Sequence, residues 1–184
     1  MAEIRFAGYG GQGIIRSGII AGRAASIYDN KFATMSQSFG PEARGGACSS
    51  QLVVSENKVL YPYVTKSDVL VAMSQEGYNK FEEELSDDGI LLIDEDLVKL
   101  KSPRARIKVF AIPATRFAEE LGKKIVANVV MLGFFTAVTD VVSYEAMKKA
   151  IPESVPEKAV ELNLQAFEKG YTYGKEQLAR VGKS

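Results

Sequence analysis

Two glycine-rich segments hold most of the residues with chemical potential in this chain. The first, Gly8-Tyr9-Gly10-Gly11-Gln12-Gly13, has G-x-G-x-x-G spacing. Glycines so spaced permit a tight turn and let backbone N–H groups approach an anion at the start of the following helix. A full dinucleotide fingerprint also needs an acid at the end of the second strand to hold a ribose. Here that strand ends in Met35-Ser36-Gln37, and the nearest earlier acid, Asp29, precedes it. An independent NAD-dependent enzyme is therefore disfavoured. Two readings of the turn stay open: a backbone cradle for a phosphate, cofactor or partner, and a turn that packs a helix on a sheet and binds nothing. The second segment runs Ser38-Phe39-Gly40-Pro41-Glu42-Ala43-Arg44-Gly45-Gly46. It would follow the second strand at the carboxyl edge of the sheet, where ligands bind in open α/β folds. Arg44 beside two glycines offers a fork of donors to a carboxylate or phosphate, with Glu42 placed to orient it. The plainer alternative is a surface loop with a local Glu–Arg pair of little energetic weight.

Composition narrows the chemistry further. The 184 residues include no histidine, which removes every His-based triad, general base and metal ligand. The lone Cys48 cannot form an intrachain disulfide, a Cys-rich zinc site or a self-contained iron–sulfur cluster; a small buried residue is its simplest reading. No metal site is expected in this chain. Lys plus Arg and Asp plus Glu both count 23, so no nucleic-acid-binding surface of the phosphate-neutralising kind is expected. Between Leu97 and Phe117 lie Lys99, Lys101, Arg104, Arg106, Lys108 and Arg116 with no acid among them. This run reads as a solvated face, or as an attractor for an anionic ligand or partner. Tyr61, Tyr63, Tyr78, Tyr171 and Tyr173 read as packing or interface residues rather than catalytic acids. Asn128, in an apolar helix, needs a hydrogen-bond partner and is either structural or turned toward the glycine turn.

The elements that must position these residues follow from the hydrophobic pattern. Ile4 to Ala7 is a first strand, and Gln12 to Tyr28 a helix whose Gly18 and Gly22 imply close packing on the sheet. Lys31 to Met35 is a second strand and residues 36–47 the largest loop. Ser49 to Val54 and Val59 to Tyr61 read as a hairpin around Ser55-Glu56-Asn57-Lys58. Asp68 to Met73, Ile90 to Ile93 and Ile107 to Ile112 are further strands. Gln75 to Leu85 is a helix, with a turn at Ser86-Asp87-Asp88-Gly89. Asn128 to Val138 is a buried helix, and Pro156 to Leu178 an amphipathic helix broken near Gly170. The order predicts an α/β fold: a Rossmann-like, doubly wound, mainly parallel sheet with a β-hairpin insertion, in a single domain over 1–184. The apolar fraction of 46% suffices for such a core. The first residues lack a basic and then apolar leader, and Ile125 to Val138 is too short to span a bilayer. A cytoplasmic chain with no membrane contact is expected.

Together these residues resemble a known family. Gly8-x-Gly-Gly-Gln-Gly13, Ser36-x-Ser-Phe-Gly-Pro-Glu-Ala-Arg-Gly-Gly46, Tyr61-Pro62 and Asp68-Val-Leu resemble the gamma subunit, or gamma domain, of the 2-oxoacid:ferredoxin oxidoreductases. The second segment is most similar to the 2-oxoglutarate branch; pyruvate and branched-chain 2-oxoacid enzymes are the alternatives. The resemblance implies a heteromeric complex that decarboxylates a 2-oxoacid to acyl-CoA and CO2 and passes electrons to ferredoxin. It places thiamine diphosphate, Mg and the iron–sulfur clusters on alpha, beta and delta partner subunits. It leaves this chain with coenzyme A access and subunit packing, no catalytic residue and no activity alone. Carried over by position, Gly8, Gly10, Gly11, Gln12, Gly13 and Arg44 are expected at a coenzyme A-facing or subunit surface. Gly40, Pro41, Glu42, Gly45 and Gly46 are expected at the partner interface. The competing reading is a free-standing Rossmann-like nucleotide-binding module.

Overall fold

The computed structural model describes residues 1–39, 46–59, 61, 63–101 and 106–181. Its centre is a six-stranded sheet of order β2-β3-β1-β4-β5-β6. The strands are β1 (Ala2–Tyr9), β2 (Phe32–Phe39), β3 (Ala47–Ser55), β4 (Ser67–Ala72), β5 (Leu85–Asp94) and β6 (Lys108–Ile112). β1, β4, β5 and β6 pair in parallel, whereas β3 is antiparallel to both β1 and β2. The sheet is thus mainly parallel with one reversed strand, as expected of the α/β fold.

The reversed strand is also where the pattern misleads. The hairpin is formed by β2 and β3, with Phe39 opposite Cys48, and not by β3 with Val59 and Tyr61, neither of which is in a strand. β3 has a neighbour on each side, β1 and β2, so no edge of it is left for a third strand. β2 also runs on through Ser36–Phe39, residues that read as loop, because Cys48 to Gln51 offer them ladder partners. Polar residues suit this strand because it lies at the rim of the sheet.

Alternation along the strands splits the core in two. Ile4, Phe6, Val69, Val71 and Leu92 face one side and Ala7, Leu70, Ala72, Leu91 and Ile93 the other. The first side carries α1 (Ile14–Arg23, continued by a π-helical turn through Tyr28), α3 (Ala114–Glu120), α4 (Ala127–Thr139), α5 (Tyr144–Ala150) and α6 (Val160–Val181). The other is covered by α2 (Gln75–Phe81) through Tyr78 and Phe81. α4 is buried along almost its whole length, which is why it is apolar all round. α3 and α5, each seven residues long, are too short for the helical period to show in the sequence.

Three boundaries move. α2 ends at Phe81 and passes through one 3-10 turn, Glu82–Glu84, straight into β5. Ser86 to Gly89 is therefore not a turn between elements. It is absorbed as an irregularity in β5, whose pairing jumps from Ser67–Leu85 to Val69–Ile90. α6 is unbroken at Gly170. A side chain there would run into the Val130 carbonyl of α4, so the glycine brings two helix backbones together instead of ending one. Gly18 and Gly22 act as expected, facing Ser50 and Leu52 of β3.

Arg5 is a buried cation in the middle of β1. Its guanidinium donates to the Val64 carbonyl at 3.1 Å, pairs with Glu84 and lies 4.4 Å from the Phe81 ring centre. It ties the chain after β3 to the sheet.

Candidate functional site

The four parallel strands all end on one edge, and the candidate site lies there. β1 runs into the glycine turn, β4 into Met73, β5 into Asp94 and β6 into Pro113 and α3. Between them is a cleft of about 280 Å³ lined by Gly11, Gln12, Met73, Thr115, Lys124, Ile125 and Ala127.

The glycines of the turn have different reasons to be glycine. A Cβ on Gly8 would lie 2.6 Å from Ile14 Cδ1. Gly13, with φ of 78°, would put one 2.5 Å from the Asn128 amide nitrogen. Gly11 has φ of 96°, a left-handed conformation. Gly10 has none of these constraints. Its φ is not positive, it is exposed, and a Cβ would meet none of the described residues within 4 Å.

Gln12 braces the turn. Its Oε1 accepts from the Tyr9 N–H at 2.7 Å, and its Nε2 donates to the Met73 carbonyl at 2.8 Å. One side chain thereby clamps the ends of β1 and β4. Asn128 Nδ2 donates to the Gly13 carbonyl at 3.3 Å, so Asn128 does face the glycine turn. The start of α1 has no side-chain cap and no acid in its first turn. Its free N–H groups leave partial positive charge at the cleft, beside the exposed Lys124.

Of the second segment, Gly40, Pro41, Glu42, Arg44 and Gly45 lie outside the described residues. Gly46 is described, and its carbonyl accepts from the Gly10 N–H at 3.4 Å. The two motifs, about 25 positions apart in sequence, therefore meet where the second returns to the sheet. β3, inserted beside β1, brings them together.

Other expected features resolve as packing. Cys48 is buried, and burial raises its thiol pKa, so it is no activated nucleophile. In the basic run, Lys101 pairs with Glu82, Arg106 with Asp88, and Arg116 with Glu95 and Asp96. This is the solvated-face reading; Arg104 lies outside the described residues. Tyr78 is buried, Tyr171 packs on Tyr144 and Phe167, and Tyr173 on Phe117 and Phe134. Tyr61 and Tyr63 form an exposed edge-to-face pair at 5.6 Å.

Sequence reasoning missed Asp94 and Thr115. Asp94 is fully buried at the end of β5. Its Oδ2 accepts from the Thr115 N–H at 2.9 Å and from the Thr115 hydroxyl at 2.6 Å, and its Oδ1 from the Asp96 N–H at 3.2 Å. Burial pushes its carboxyl above the ordinary carboxylate range, and the bonds from Thr115 and Asp96 pull it back. The available signal was positional: polar residues directly after apolar strands, at the edge where ligands bind.

Comparison with known proteins agrees with this arrangement. The family model for pyruvate ferredoxin/flavodoxin oxidoreductase matches residues 3–173. The 2-oxoglutarate synthase subunit KorC of Methanocaldococcus jannaschii is 51% identical over 95% of this chain and 94% of its own. The crystal structure of a keto/oxoacid ferredoxin oxidoreductase gamma subunit from Geobacter sulfurreducens superposes with a TM-score of 0.84 at 44% identity, covering 95% of this chain and 98% of that one. A 2-oxoglutarate:ferredoxin oxidoreductase from Magnetococcus marinus, solved with 2-oxoglutarate, coenzyme A and succinyl-CoA bound, shares the fold at 24% identity and a TM-score of 0.86; this chain covers 31% of its length and is itself covered over 95%. No helix among the described residues is long and apolar enough to cross a membrane. The chain belongs to the pyruvate ferredoxin/flavodoxin oxidoreductase family, as a gamma-type subunit of a 2-oxoacid:ferredoxin oxidoreductase.

Proposed function

We propose that this chain is the gamma subunit of a cytoplasmic complex that oxidatively decarboxylates 2-oxoglutarate to succinyl-CoA and CO2 and delivers electrons to ferredoxin. The choice of 2-oxoglutarate is supported by the identity to KorC. Thiamine diphosphate, Mg and the iron–sulfur clusters belong to alpha, beta and delta partner subunits. This chain contributes coenzyme A access and subunit packing.

Gly10 carries that reading. Among the described residues nothing requires glycine there: a Cβ would meet none of them within 4 Å, and the backbone is not left-handed. A residue kept small at an open surface suits close approach by something outside, either coenzyme A or a partner subunit. The cleft fits part of coenzyme A. The uncapped start of α1 and Lys124 suit a phosphate, and Met73, Ile125 and Ala127 suit an apolar arm. At about 280 Å³ it is at the small end of ligand sites, so the rest of coenzyme A rests on other subunits. Within this chain, Gly8, Gly13 and Gln12 hold the turn in shape. Arg44 is proposed to face the catalytic subunits or an anionic group at the active-site entrance.

The test is purification of the native complex through a tag on this chain, with a panel of 2-oxoacids and a viologen dye as acceptor. Co-purified thiamine and iron–sulfur subunits, with coenzyme A-dependent dye reduction fastest on 2-oxoglutarate, are expected. A lone chain that binds a nucleotide without partners would overturn the proposal in favour of the free-standing module. Arg44→Ala is expected to lower acyl-CoA formation by the complex while leaving the isolated chain's unfolding midpoint in place.

A further inference from the structure

We infer that Asp94 and Thr115 form a positioning pair that gives the cleft a hydrogen-bond-accepting wall. By this pair the cleft selects the pantetheine arm of coenzyme A, with Thr115 Oγ1 receiving an amide N–H of that arm. The inference rests on the reading of this cleft as coenzyme A-facing.

A carboxylate only accepts hydrogen bonds, and a hydroxyl has a single proton to give. The Thr115 hydroxyl donates that proton to Asp94 Oδ2 at 2.6 Å. The Thr115 N–H donates to the same oxygen at 2.9 Å, which fixes the residue at the start of α3. Thr115 Oγ1 is left with lone pairs only, and Thr115 lines the cleft. A ligand meeting it must bring a donor.

The other polar linings complete the assignment. Gln12 has both ends of its amide engaged, with Tyr9 and Met73. Lys124 is a donor only. Among the described lining side chains, Thr115 is therefore the one oxygen acceptor not already committed. The buried Asp94 carboxylate behind it disfavours phosphate on that side. Phosphate is favoured instead by Lys124 and the uncapped start of α1. Of the parts of coenzyme A, the pantetheine arm joins apolar methylenes to amide donors. It matches a wall of Met73, Ile125 and Ala127 with one acceptor.

The experiment uses the reconstituted complex. Thr115→Val keeps the shape and removes the acceptor; it is expected to raise the KM for coenzyme A about tenfold, with kcat and the KM for the 2-oxoacid held within about twofold. Thr115→Ser restores the KM. Asp94→Asn raises it as well, because an amide can donate to the hydroxyl and reverse its direction. Coenzyme A analogues with each pantetheine amide replaced by an ester provide the readout that a structural role would not move. One of them binds the wild type more weakly than coenzyme A does, yet binds Thr115→Val no more weakly. An unchanged KM in an intact Thr115→Val complex overturns the inference. If Gly10→Val raises the KM while Thr115→Val does not, the pair is wrong and the cleft reading stands. If neither raises it, the cleft reading falls and takes the pair with it. A Thr115→Val complex that fails to assemble while Thr115→Ser assembles with a raised KM for coenzyme A also overturns it, as then the hydroxyl is structural.

Discussion

Glycine is used in opposite ways at the α4–α6 contact and at the carboxyl-edge turn. Where α4 meets α6, Gly133 faces the backbone of Phe167 and Tyr171, and Gly170 faces the Val130 carbonyl and the Phe134 nitrogen. The helices approach until no side chain fits, and the chain itself demands glycine. At the turn, Gly10 faces none of the described residues within 4 Å. The helix contact is finished within this chain, whereas at the turn the described residues leave the space beside Gly10 open, as the proposed coenzyme A or partner contact requires. Glycine identity alone does not separate packing from recognition; what a Cβ would meet does.

That contrast can be broken or sharpened by substitution. The largest effect is expected at Gly170→Val, which forces two helix backbones apart. Overpacking of this kind against main chain is expected to cost more than about 3 kcal/mol, read as loss of soluble chain or a large fall in the urea midpoint. A mild effect would show that α4 and α6 can slide, and the contrast would weaken.

The next effect is electrostatic and belongs to the wall of the cleft. Burial raises the Asp94 carboxyl above its unfolded value. An acid so shifted holds more protons folded than unfolded, so its contribution to stability is complete below the unfolded pKa, about 3.9. That contribution is lost as pH rises through the folded pKa. Asp94→Asn cannot titrate, so the stability of wild type relative to the variant is expected to decline from about pH 4 upward. Urea unfolding at several pH values checks this; a constant difference would mean that the hydrogen bonds fully offset desolvation, and a difference that grows with pH that they outweigh it. At the small end, Arg106→Ala is expected to leave the unfolding midpoint unchanged, since the 4.0 Å pair with Asp88 joins two exposed side chains.

Much of this was legible beforehand, for identifiable reasons. The strand Ile4 to Ala7, the glycine turn and the helix after it form a local unit, so their order in sequence is their order in space. The apolar run after Asn128 announced α4 because burial on all sides leaves no polar face. The partner of β3 was not legible. A strand reveals which face it buries but not which neighbour it takes, and β2 and residues 59–61 were both adjacent in sequence. The break assigned at Gly170 failed because propensity counts glycine as a helix breaker, whereas tertiary contact with Val130 gives it a use inside a helix. At the site, the turn was visible because six positions in a row carry it. Asp94 and Thr115 were not, because they are separated by β6 and meet only through the parallel pairing of β5 with β6.

The most direct measurement on the open turn is a paired one on Gly10→Val: the unfolding midpoint of the isolated chain, and the coenzyme A-dependent rate of the complex that contains it. An unchanged midpoint is expected, because a Cβ at position 10 meets none of the described residues within 4 Å, together with a rate reduced at least about tenfold through lost coenzyme A or partner contact. A lowered midpoint, or a full rate from an intact Gly10→Val complex, would contradict it.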